Sequence, residues 1–570
     1  MRKKKKLILF LQLPLLDNDI SGKTEHPCLA AVYLENALKT SFYQKKFDVV
    51  ICPEKFCAET DDHSIIQYLL KINPDIIAFT LYLWNIERSL HIARILKNTN
   101  PDINIITGGP EIARNHPFIF KEKAIKAVVE GEGENIFPFL VTNLNPKKQG
   151  KWFSNIAIYS TNNFCWGKIS PPSVELQKTI PPPSHYLNYP NSSGMAYLEA
   201  SRGCSMRCTF CCYNQQRKHV SFLSPTDIIK RIEILKERNT KEIRFIDPTF
   251  NSHPSFETIL EGIAKINSSA DIKFFAEIRP DTITPKHAYL LKKANFTELE
   301  IGVQSINPKV LSAIKRNTNM DALLAGIKNL SSNKLYLTID IMCGLPFQKL
   351  RDIKKSIDWA CTIKNADIQF LHTLLLPGTN LRDHKFKFGL RAQKRPPYRV
   401  LATPTLSPDE IISAEIYARQ KTRRDFDCPT RKFIGHTLPD LFEEKITVSL
   451  LSKPHKSLPG TKNKRAIIFA GKDLYQKRNI IVSWIKLALQ EEPFILWQFV
   501  VKPTYEEPLD LFDIMIREIK SNPTLWLDRM SPDPLARLVS RRILVMLDKN
   551  NNYSHSWINT VNSLLQDTFY

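Results

Sequence analysis

The sequence predicts an α/β protein built in three parts. Residues 1–145 and 194–395 each alternate short apolar runs, typical of buried strands, with amphipathic runs of helical length. Residues 146–193 between them are rich in proline and glycine, which favours an extended linker, and a shorter alternation follows over residues 396–570. Because strands separated by helices pair in parallel, we expect two parallel sheets followed by a small C-terminal α/β region.

The first part predicts a doubly wound parallel sheet. Its predicted strands cover residues 7–13, 47–52, 76–80, 103–107 and 127–130, and its predicted helices cover residues 28–41, 62–72 and 86–97. The basic and then apolar start of the chain imitates a signal peptide. Gln12, Pro14 and Asp17 follow without a small-residue cleavage site, so we interpret the apolar run as the first strand. No other stretch has the uninterrupted apolar length that a membrane span requires.

Small and aromatic residues collect where three of these strands end. They are Thr80 and Trp84 after the third strand, Gly108, Gly109 and Glu111 after the fourth, and Gly131, Glu132 and Gly133 after the fifth. Parallel sheets bind ligands outside the carboxyl ends of their strands, and glycine lets the backbone approach a bulky ligand closely. Any one of these segments alone is more often only a tight turn. The prediction of a ligand-binding edge therefore depends on all three segments occurring together.

Three cysteines open the second part at C-x3-C-x2-C spacing: Cys204, Cys208 and Cys211. A loop of this step length can place three thiolates on one face of a cubane iron–sulfur cluster and leave one iron open for another ligand. A zinc site or a set of buried free cysteines is the alternative, but zinc prefers four ligands and His219 is the only nearby candidate for a fourth. Because adjacent side chains point apart, we expect Cys212 to be a bystander.

This motif resembles the cluster loop of the radical S-adenosylmethionine (SAM) superfamily, which carries an aromatic residue before the third cysteine, here Phe210. The resemblance places the ring of Phe210 against the adenine of SAM. The resemblance implies a 4Fe-4S cluster whose open iron chelates SAM, and a reductive cleavage of SAM to methionine and a 5′-deoxyadenosyl radical. It implies a partial (β/α)6 barrel, similar to a TIM barrel, with the chemistry at the carboxyl ends of its strands. It also implies an electron donor of the flavodoxin or ferredoxin type.

Six predicted strands fit that barrel, at residues 196–200, 242–246, 272–276, 298–303, 335–342 and 368–376. By the resemblance, the residues that bind SAM follow or end the second, third and fourth strands: Asp247, Thr249, Glu277, Arg279, Glu300, Gln304 and Ser305. Arg279 could neutralise the SAM carboxylate, and Glu277 and Glu300 could accept hydrogen bonds from ribose hydroxyls. A structural ion pair at the rim is the alternative for each charged residue. No residue is assigned a catalytic acid or base role.

The first part resembles the cobalamin (B12)-binding domain, a Rossmann-like sheet that precedes many radical SAM domains. The resemblance assigns cobalamin to the residues named above at the strand ends: Thr80, Trp84, Gly108, Gly109, Glu111, Gly131, Glu132 and Gly133. The D-x-H-x-x-G pattern that supplies a histidine to cobalt is missing. The partial match to this pattern around His63 lacks the glycine and lies at the start of a predicted helix, so we interpret His63 as a surface residue.

Composition adds weaker expectations. The 11 cysteines are odd in number and scattered, which disfavours a secreted disulfide framework and favours the cytoplasm. The net charge of +23 could indicate nucleic-acid binding, but the basic residues are dispersed, and a lysine-rich surface is the simpler interpretation. The C-terminal region predicts strands at 466–470, 494–501 and 542–547 with helices near 479–490 and 509–520, and shows no catalytic pattern. Its position suggests that it closes the open side of the barrel.

Together these resemblances imply a cobalamin-dependent radical SAM enzyme, most simply one that methylates an unactivated carbon of a small molecule or natural product. Rearrangement, cyclisation or dehydration without methyl transfer stays open, as does a binding protein that senses redox state or cofactor supply. A tRNA methylthiotransferase is disfavoured because Cys28, Cys52 and Cys57 lack the spacing of that family's additional cluster.

Overall fold

The computed structural model describes residues 5–16, 28–144, 152–160, 162–181, 194–213, 217, 219–316, 318–423, 433–437, 442–454, 457–532 and 540–568. These residues form three main sheets, one for each predicted part of the chain. No helix in the described ranges has the length and apolar character needed to cross a membrane.

The first sheet has seven strands in the order β2-β1-β3-β4-β5-β6-β7. Strands β1 to β5 are parallel, as predicted. The strands are β1 (Lys6–Leu11), β2 (Phe47–Ile51), β3 (Ile76–Thr80), β4 (Asn104–Gly108), β5 (Ala127–Val129), β6 (Ile156–Ser160) and β7 (Asn163–Trp166). The helices are α1 (Leu29–Lys39), α2 (Glu54–Glu59), α3 (Asp62–Ile72), α4 (Ile86–Thr99) and α5 (Phe137–Thr142). The apolar run near the start of the chain is a buried central strand, which confirms its interpretation as β1.

Part of the segment predicted to be a linker belongs to this sheet instead. β6 and β7 extend the sheet as an antiparallel hairpin on β5. Trp152 and Ile156 are fully buried beneath it, and a Cβ at Gly167 would collide with the carbonyl oxygens of Trp152 and Phe153. The linker was predicted from the prolines of residues 171–183, and the apolar residues before them were overlooked. The rest of the linker assignment stays a prediction.

The second sheet has six parallel strands in the order β8-β11-β12-β13-β14-β15 and does not close, as predicted for a partial barrel. Its strands are β8 (Met195–Leu198), β11 (Glu242–Phe245), β12 (Lys273–Ile278), β13 (Phe296–Gln304), β14 (Tyr336–Cys343) and β15 (Ala366–His372). The short β9 (Ser201–Arg202) and β10 (Ser221–Phe222) pair beside it. The helices are α6 (Leu176–Thr179), α7 (Pro225–Glu237), α8 (Phe256–Ile266), α9 (Pro285–Lys293), α10 (Pro308–Ala313), α11 (Met320–Ser332) and α12 (Leu350–Ala360).

The segment after β15 also packs on the barrel. It contains α13 (Asn380–Asp383), the hairpin β16 (Arg391–Ala392) and β17 (Val400–Ala402), and α14 (Pro408–Thr422). Ile411, Ala414 and Ala418 of α14 belong to the apolar core of the barrel. Residues 408–422, which we assigned to the C-terminal region, therefore lie with the barrel.

The third sheet is parallel, in the order β18-β22-β21-β20-β19. Its strands are β18 (Ile434–Gly435), β19 (Glu444–Thr447), β20 (Lys464–Gly471), β21 (Leu496–Pro503) and β22 (Arg541–Met546), and its helices are α15 (Arg478–Glu491), α16 (Leu509–Lys520) and α17 (His555–Thr568). The sequence predicted β20 to β22 and the two helices α15 and α16. β18 and β19 were missed because each is too short to show a period.

Buried charges join the third sheet to the first. Arg465 on β20 forms ion pairs with Asp61 and, at 3.1 Å, with Glu444. Glu492 accepts hydrogen bonds from the backbone N–H groups of Asp62 (3.1 Å) and His63 (2.9 Å). The His63 side chain itself is exposed, which confirms that it is a surface residue. The C-terminal region is therefore attached to the turn that precedes α3.

Removing the Arg465 cation tests this attachment. Arg465→Met leaves the buried Asp61 carboxylate without its partner, which costs about 3–5 kcal/mol for a buried pair. We expect a clearly lower thermal midpoint of the apoprotein and faster tryptic release of the C-terminal region. Lys55→Met removes a partner of Glu59 that is 69% exposed and should change stability by less than about 0.5 kcal/mol. Equal midpoints for the two variants would contradict the role of Arg465.

Candidate active site

Two cavities lie side by side where the first sheet meets the barrel, and Tyr213 lines both. The edge cavity, about 470 Å³, lies at the carboxyl ends of β3, β4 and β5. The barrel cavity, about 340 Å³, lies between the carboxyl ends of β12 to β15 and the segment 200–213, which we call the cluster loop.

The three motif cysteines line the barrel cavity together. Cys204, Cys208 and Cys211 share this wall with Phe210, and the Thr249 hydroxyl lies 3.7 Å from the Cys204 sulfur. Burial raises the pKa of Cys211 to about 12, so its thiolate requires an incoming cation. Within the described ranges, no group of three or more His, Cys, Asp or Glu side chains is arranged to hold a metal ion. Three thiols on one wall fit a cluster, whose ligands bind separate iron atoms.

Cys212 faces the other way. It lines the edge cavity, whereas its neighbour Cys211 lines the barrel cavity. This opposite orientation agrees with the alternation expected of adjacent side chains. Cys212 is therefore separated from the three cysteines that surround the barrel cavity.

Arg316 contacts the cluster loop and was not predicted from the sequence. One of its terminal nitrogens lies 3.6 Å from the Cys208 sulfur, and the other donates to the carbonyl oxygen of Gly302. A cation that donates to a ligating sulfur stabilises the more reduced state of a cluster. No sequence signal marks this residue, because the contact depends on how the turn after α10 folds back.

Most of the predicted SAM residues reach the barrel cavity. Phe210, Thr249, Glu277, Arg279, Glu300 and Gln304 line it. Arg279 also pairs with Asp281 in its own turn, with Nε 3.0 Å from the carboxylate. The ion pair that we considered as the alternative is therefore present at a residue that still faces the cavity.

Asp247 and Ser305 do not line the cavity. Asp247 is fully buried and accepts hydrogen bonds from the Ala200 N–H (3.0 Å) and from the Ser201 hydroxyl. Burial raises the pKa of Asp247 to about 7, although these bonds oppose the shift. The hydroxyl of Ser305 accepts from the Asn307 N–H at 3.2 Å, just ahead of α10. Both residues shape the backbone around the cavity, and their positions on strand ends alone could not distinguish that role from ligand binding.

Three carboxyl groups form one side of the barrel cavity. Glu277, Glu300 and Asp340 line it from neighbouring strands, and Glu277 is the direct lateral neighbour of Glu300. Burial, followed by repulsion from nearby carboxylates, raises the pKa of Glu277 to about 7 and that of Asp340 to about 8, and raises the pKa of Glu300. Carboxyls held near neutrality can donate as well as accept hydrogen bonds, which suits a ligand rich in hydroxyl and amino groups such as SAM.

A neutral replacement at Asp340 tests these shifts. A carboxyl whose pKa is raised by folding stabilises the protein below its ordinary pKa, and this contribution is lost as the pH rises through the raised value. We therefore expect Asp340→Asn apoprotein to be more stable than wild type at pH 8.5, by about 1–3 kcal/mol, and to lose this advantage at pH 5.5.

Thermal midpoints across this pH range provide the measurement. Asp102→Asn, at an exposed aspartate, is the control and should track wild type at every pH. An Asp340→Asn protein that is less stable than wild type at pH 8.5 would show that Asp340 is held as a stabilised carboxylate.

A histidine closes the far side of the barrel cavity. His372, at the end of β15, lines the cavity, and its Nε2 lies 3.0 Å from Glu415 on α14. The other oxygen of Glu415 accepts from the Ser531 hydroxyl at 2.6 Å. Burial would raise the pKa of Glu415, but the hydrogen bond with His372 and the other nearby groups hold it below its ordinary value. The sequence did not single out His372, because its partners are distant along the chain.

The edge cavity contains six of the eight predicted cobalamin residues: Thr80, Gly108, Gly109, Gly131, Glu132 and Gly133. Gly109 has φ of +105°, and a Cβ there would meet the backbone oxygen of Leu81 at 2.6 Å, so this turn requires glycine. Asn85 fixes the neighbouring turn by bonding the Tyr82 N–H (2.8 Å) and the carbonyl oxygens of Leu13 and Thr80. The strand ends thus present a rigid backbone wall that fits a large planar ligand.

Trp84 and Glu111 lie outside the edge cavity. Tyr82 lines the cavity, and Trp84 stacks behind it with ring centres 4.4 Å apart. Glu111 is buried, accepting from the Tyr398 hydroxyl at 2.9 Å and contacting His116. The tight turn at Gly109 directs Glu111 toward the barrel segment, an orientation that the sequence did not reveal.

An ion-pair network joins the two cavities' walls. Arg202 of the cluster loop bonds Glu199 and Glu134 at 2.6 Å each, and Arg217 lies 3.1 Å from Glu132. Burial would lower the pKa of Arg202, but these glutamates raise it. The glutamates after β5 are therefore tied to the cluster loop.

Serine replacements test whether the three cysteines of the barrel cavity, and not Cys212, bind the cluster. The Cys204→Ser/Cys208→Ser/Cys211→Ser protein should lose nearly all iron and sulfide after anaerobic reconstitution, because serine is a poor cluster ligand. Cys212→Ser should keep the wild-type iron content. Iron and sulfide assays with visible absorption make the measurement, and circular dichroism checks folding. Iron retained by the triple variant, or lost from Cys212→Ser, would contradict the assignment.

Family comparisons agree with this arrangement. The model of the radical SAM superfamily matches residues 198–360, and the model of the B12 binding domain matches residues 21–141. The chain contains a radical SAM domain and a B12-binding domain. The matched ranges contain the cluster loop and the three strand ends of the edge cavity, so the residues present fit a 4Fe-4S cluster, SAM and cobalamin.

Two relatives and one solved structure extend the comparison. An uncharacterized methyltransferase of Pyrococcus horikoshii is 25% identical and covers 63% of this chain and 79% of its own length. The cobalamin-dependent radical SAM methyltransferase TokK of Streptomyces tokunonensis is 21% identical over 60% of this chain, which spans only 53% of TokK. The structure of the methyltransferase TsrM from Kitasatospora setae has a TM-score of 0.54 at 15% identity, covering 73% of this chain and 83% of TsrM. This last likeness concerns the fold.

Proposed function

We propose that this enzyme is a cobalamin-dependent methyltransferase that acts on an unactivated carbon of a small molecule. The observation that carries the proposal is the shared wall at Tyr213, between a cavity suited to cobalamin and a cavity lined by the cluster cysteines. Methyl delivery from one cavity and radical formation in the other require a common substrate position. The names of the two relatives support the choice of methyl transfer.

Each cofactor has residues that would hold it. Cys204, Cys208 and Cys211 would hold the cluster, and the carboxyls of the barrel cavity with Arg279 would hold SAM. The glycines and Glu132 at the first sheet's edge would hold cobalamin. When bound, the cluster and SAM would supply a radical able to remove hydrogen from an unreactive carbon, and cobalamin would carry the methyl group.

The protein's own contribution would be orientation and exclusion of water. Met342, Leu371, Leu374 and Leu376 give the barrel cavity an apolar part of its lining. An apolar surround keeps water away from a reactive radical. Tyr213 stands between the cavities, where a bound substrate would meet both.

The products formed from SAM test this function without a known substrate. Holoprotein reconstituted with iron, sulfide and cobalamin, reduced by titanium(III) citrate, should release both 5′-deoxyadenosine and S-adenosylhomocysteine when incubated with SAM and small-molecule extract. Mass spectrometry quantifies both, and Cys211→Ser should abolish the deoxyadenosine.

Other outcomes favour the alternatives. Deoxyadenosine without cobalamin-dependent S-adenosylhomocysteine would favour rearrangement, cyclisation or dehydration over methyl transfer. Binding of cofactors with neither product would favour a sensing role and contradict the proposal.

A further inference from the structure

Lysine and phenylalanine side chains cover the outer side of the wall that holds the cluster loop. We call this surface the basic–aromatic patch and define it as Lys309, Phe347, Lys349, Lys385, Phe386 and Lys387. Phe386 is 86% exposed and Phe347 is 44% exposed. Aromatic rings are enriched in protein interfaces relative to the rest of the surface.

Cations stand over both rings. The ammonium group of Lys309 lies 5.2 Å from the centre of the Phe347 ring, and that of Lys385 lies 4.9 Å from the centre of the Phe386 ring. Each contact holds one ring and one charge together.

Backbone hydrogen bonds attach the patch to the cluster loop from two sides. The Thr209 N–H donates to the carbonyl oxygen of Ile314 at 2.9 Å, in the segment that carries Lys309. The Leu381 N–H donates to the carbonyl oxygen of Thr209 at 2.8 Å, in the segment that leads to Lys385. Thr209 directly follows Cys208, so both halves of the patch are fixed to a residue between two cluster ligands.

Packed aromatic rings continue this connection inward. Phe347 meets Phe388 with ring centres 5.9 Å apart. Phe388 and Phe210 pack against the same apolar cluster, formed around Leu381 and Tyr398. Because Phe210 precedes Cys211, a continuous packed path leads from the patch to the third cluster ligand.

The patch has one sign of charge. The three segments that form it, residues 305–316, 345–351 and 380–388, contain a single acidic residue, Asp383. Two of their eight lysines and arginines do not belong to the surface, because Arg316 lines the barrel cavity and Arg382 donates to the carbonyl oxygen of Leu375. The Asp383 carboxylate accepts from the Asn115 side chain at 2.6 Å. A partner that docks here must therefore present carboxylates around an apolar centre.

We propose that the basic–aromatic patch docks an acidic one-electron donor protein. The inference rests on the proposed function, in which the cluster is reduced before SAM is cleaved. One electron leaves the reduced donor and enters the oxidised cluster, and no bond forms or breaks at this surface. Electron transfer weakens steeply with distance, so a donor benefits from docking directly outside the cluster wall. Charge complementarity accelerates such encounters, and a small, weak interface suffices for repeated exchange.

Charge reversal tests the patch with a reduced flavodoxin as the donor. The patch variant carries Lys309→Glu, Lys349→Glu, Lys385→Glu and Lys387→Glu. The control carries Lys45→Glu, Lys121→Glu, Lys123→Glu and Lys328→Glu, at exposed lysines outside the patch. At low ionic strength, we expect the patch variant to release 5′-deoxyadenosine about tenfold or more slowly than wild type, and the control to stay within about twofold.

Two further conditions distinguish docking from damage to the active site. With titanium(III) citrate, which needs no docking surface, both variants should match wild type. High salt should bring the flavodoxin-supported rate of wild type down toward that of the patch variant, because salt screens exposed charges. A patch variant that is equally slow with titanium(III) citrate would overturn the proposal.

Binding of oxidised flavodoxin, followed by the fluorescence of its flavin, requires no turnover. Wild type and control should bind, and the patch variant should bind at least about tenfold more weakly. Equal affinities would overturn the proposal. Binding of tRNA, measured in parallel, tests the alternative that the patch binds nucleic acid: a patch variant that loses tRNA binding but keeps flavodoxin binding would also overturn the proposal. If flavodoxin binds through the patch but no reductant yields deoxyadenosine, the proposed function fails and the docking surface stands.

Discussion

The active site depends on the directions of three consecutive side chains. Cys211 faces the barrel cavity, Cys212 faces the edge cavity, and Tyr213 lines both. A residue that we propose to bind the cluster and a residue lining the cavity that we propose for cobalamin are thus adjacent in one loop, and neither cavity can shift far without moving the other. The fold makes this possible because the carboxyl ends of both parallel sheets, where such sheets bind ligands, are directed at the same loop.

The charge network around Arg202 fixes the relation between the two sheets. Buried ion pairs add little net stability, since desolvation offsets their attraction, but they penalise arrangements that leave a charge without its partner. Arg202 bonds Glu199, just before the cluster loop, and Glu134 beyond β5, and Arg217 pairs with Glu132. A shift of the domains that broke these contacts without admitting water would leave several partly buried charges uncompensated. The network therefore fixes the distance between the two cavities more than it raises the free energy of unfolding.

Hydrophobic periodicity predicted the parallel strands well because burial on both faces makes each one a short apolar run. It failed for β6 and β7, where nearby prolines hid the pattern, and for β18 and β19, which are too short. The spacing of the motif singled out three cysteines that line one cavity, and the glycines at the strand ends marked the position of the edge cavity. The direction of individual side chains was harder to predict. Asp247 follows a strand, as a ligand-binding residue would, yet its carboxylate accepts a hydrogen bond from the Ala200 N–H instead of facing the cavity. Arg316 and His372 reach the cavity through tertiary contacts that no local pattern encodes.

The C-terminal region explains why family membership identifies the chemistry more readily than the substrate. The Arg529 side chain donates to the carbonyl oxygen of Pro396 at 2.6 Å and pairs with Glu87 on α4, and Ser531 bonds the glutamate that orients His372. One short segment thus contacts the first sheet's helix and the open edge of the barrel. The radical SAM match ends at residue 360, so His372 and the apolar wall after it lie beyond it. The three cysteines and the carboxyls of the cavity lie within the matched part of the chain, whereas His372, Leu374 and Leu376 lie outside it.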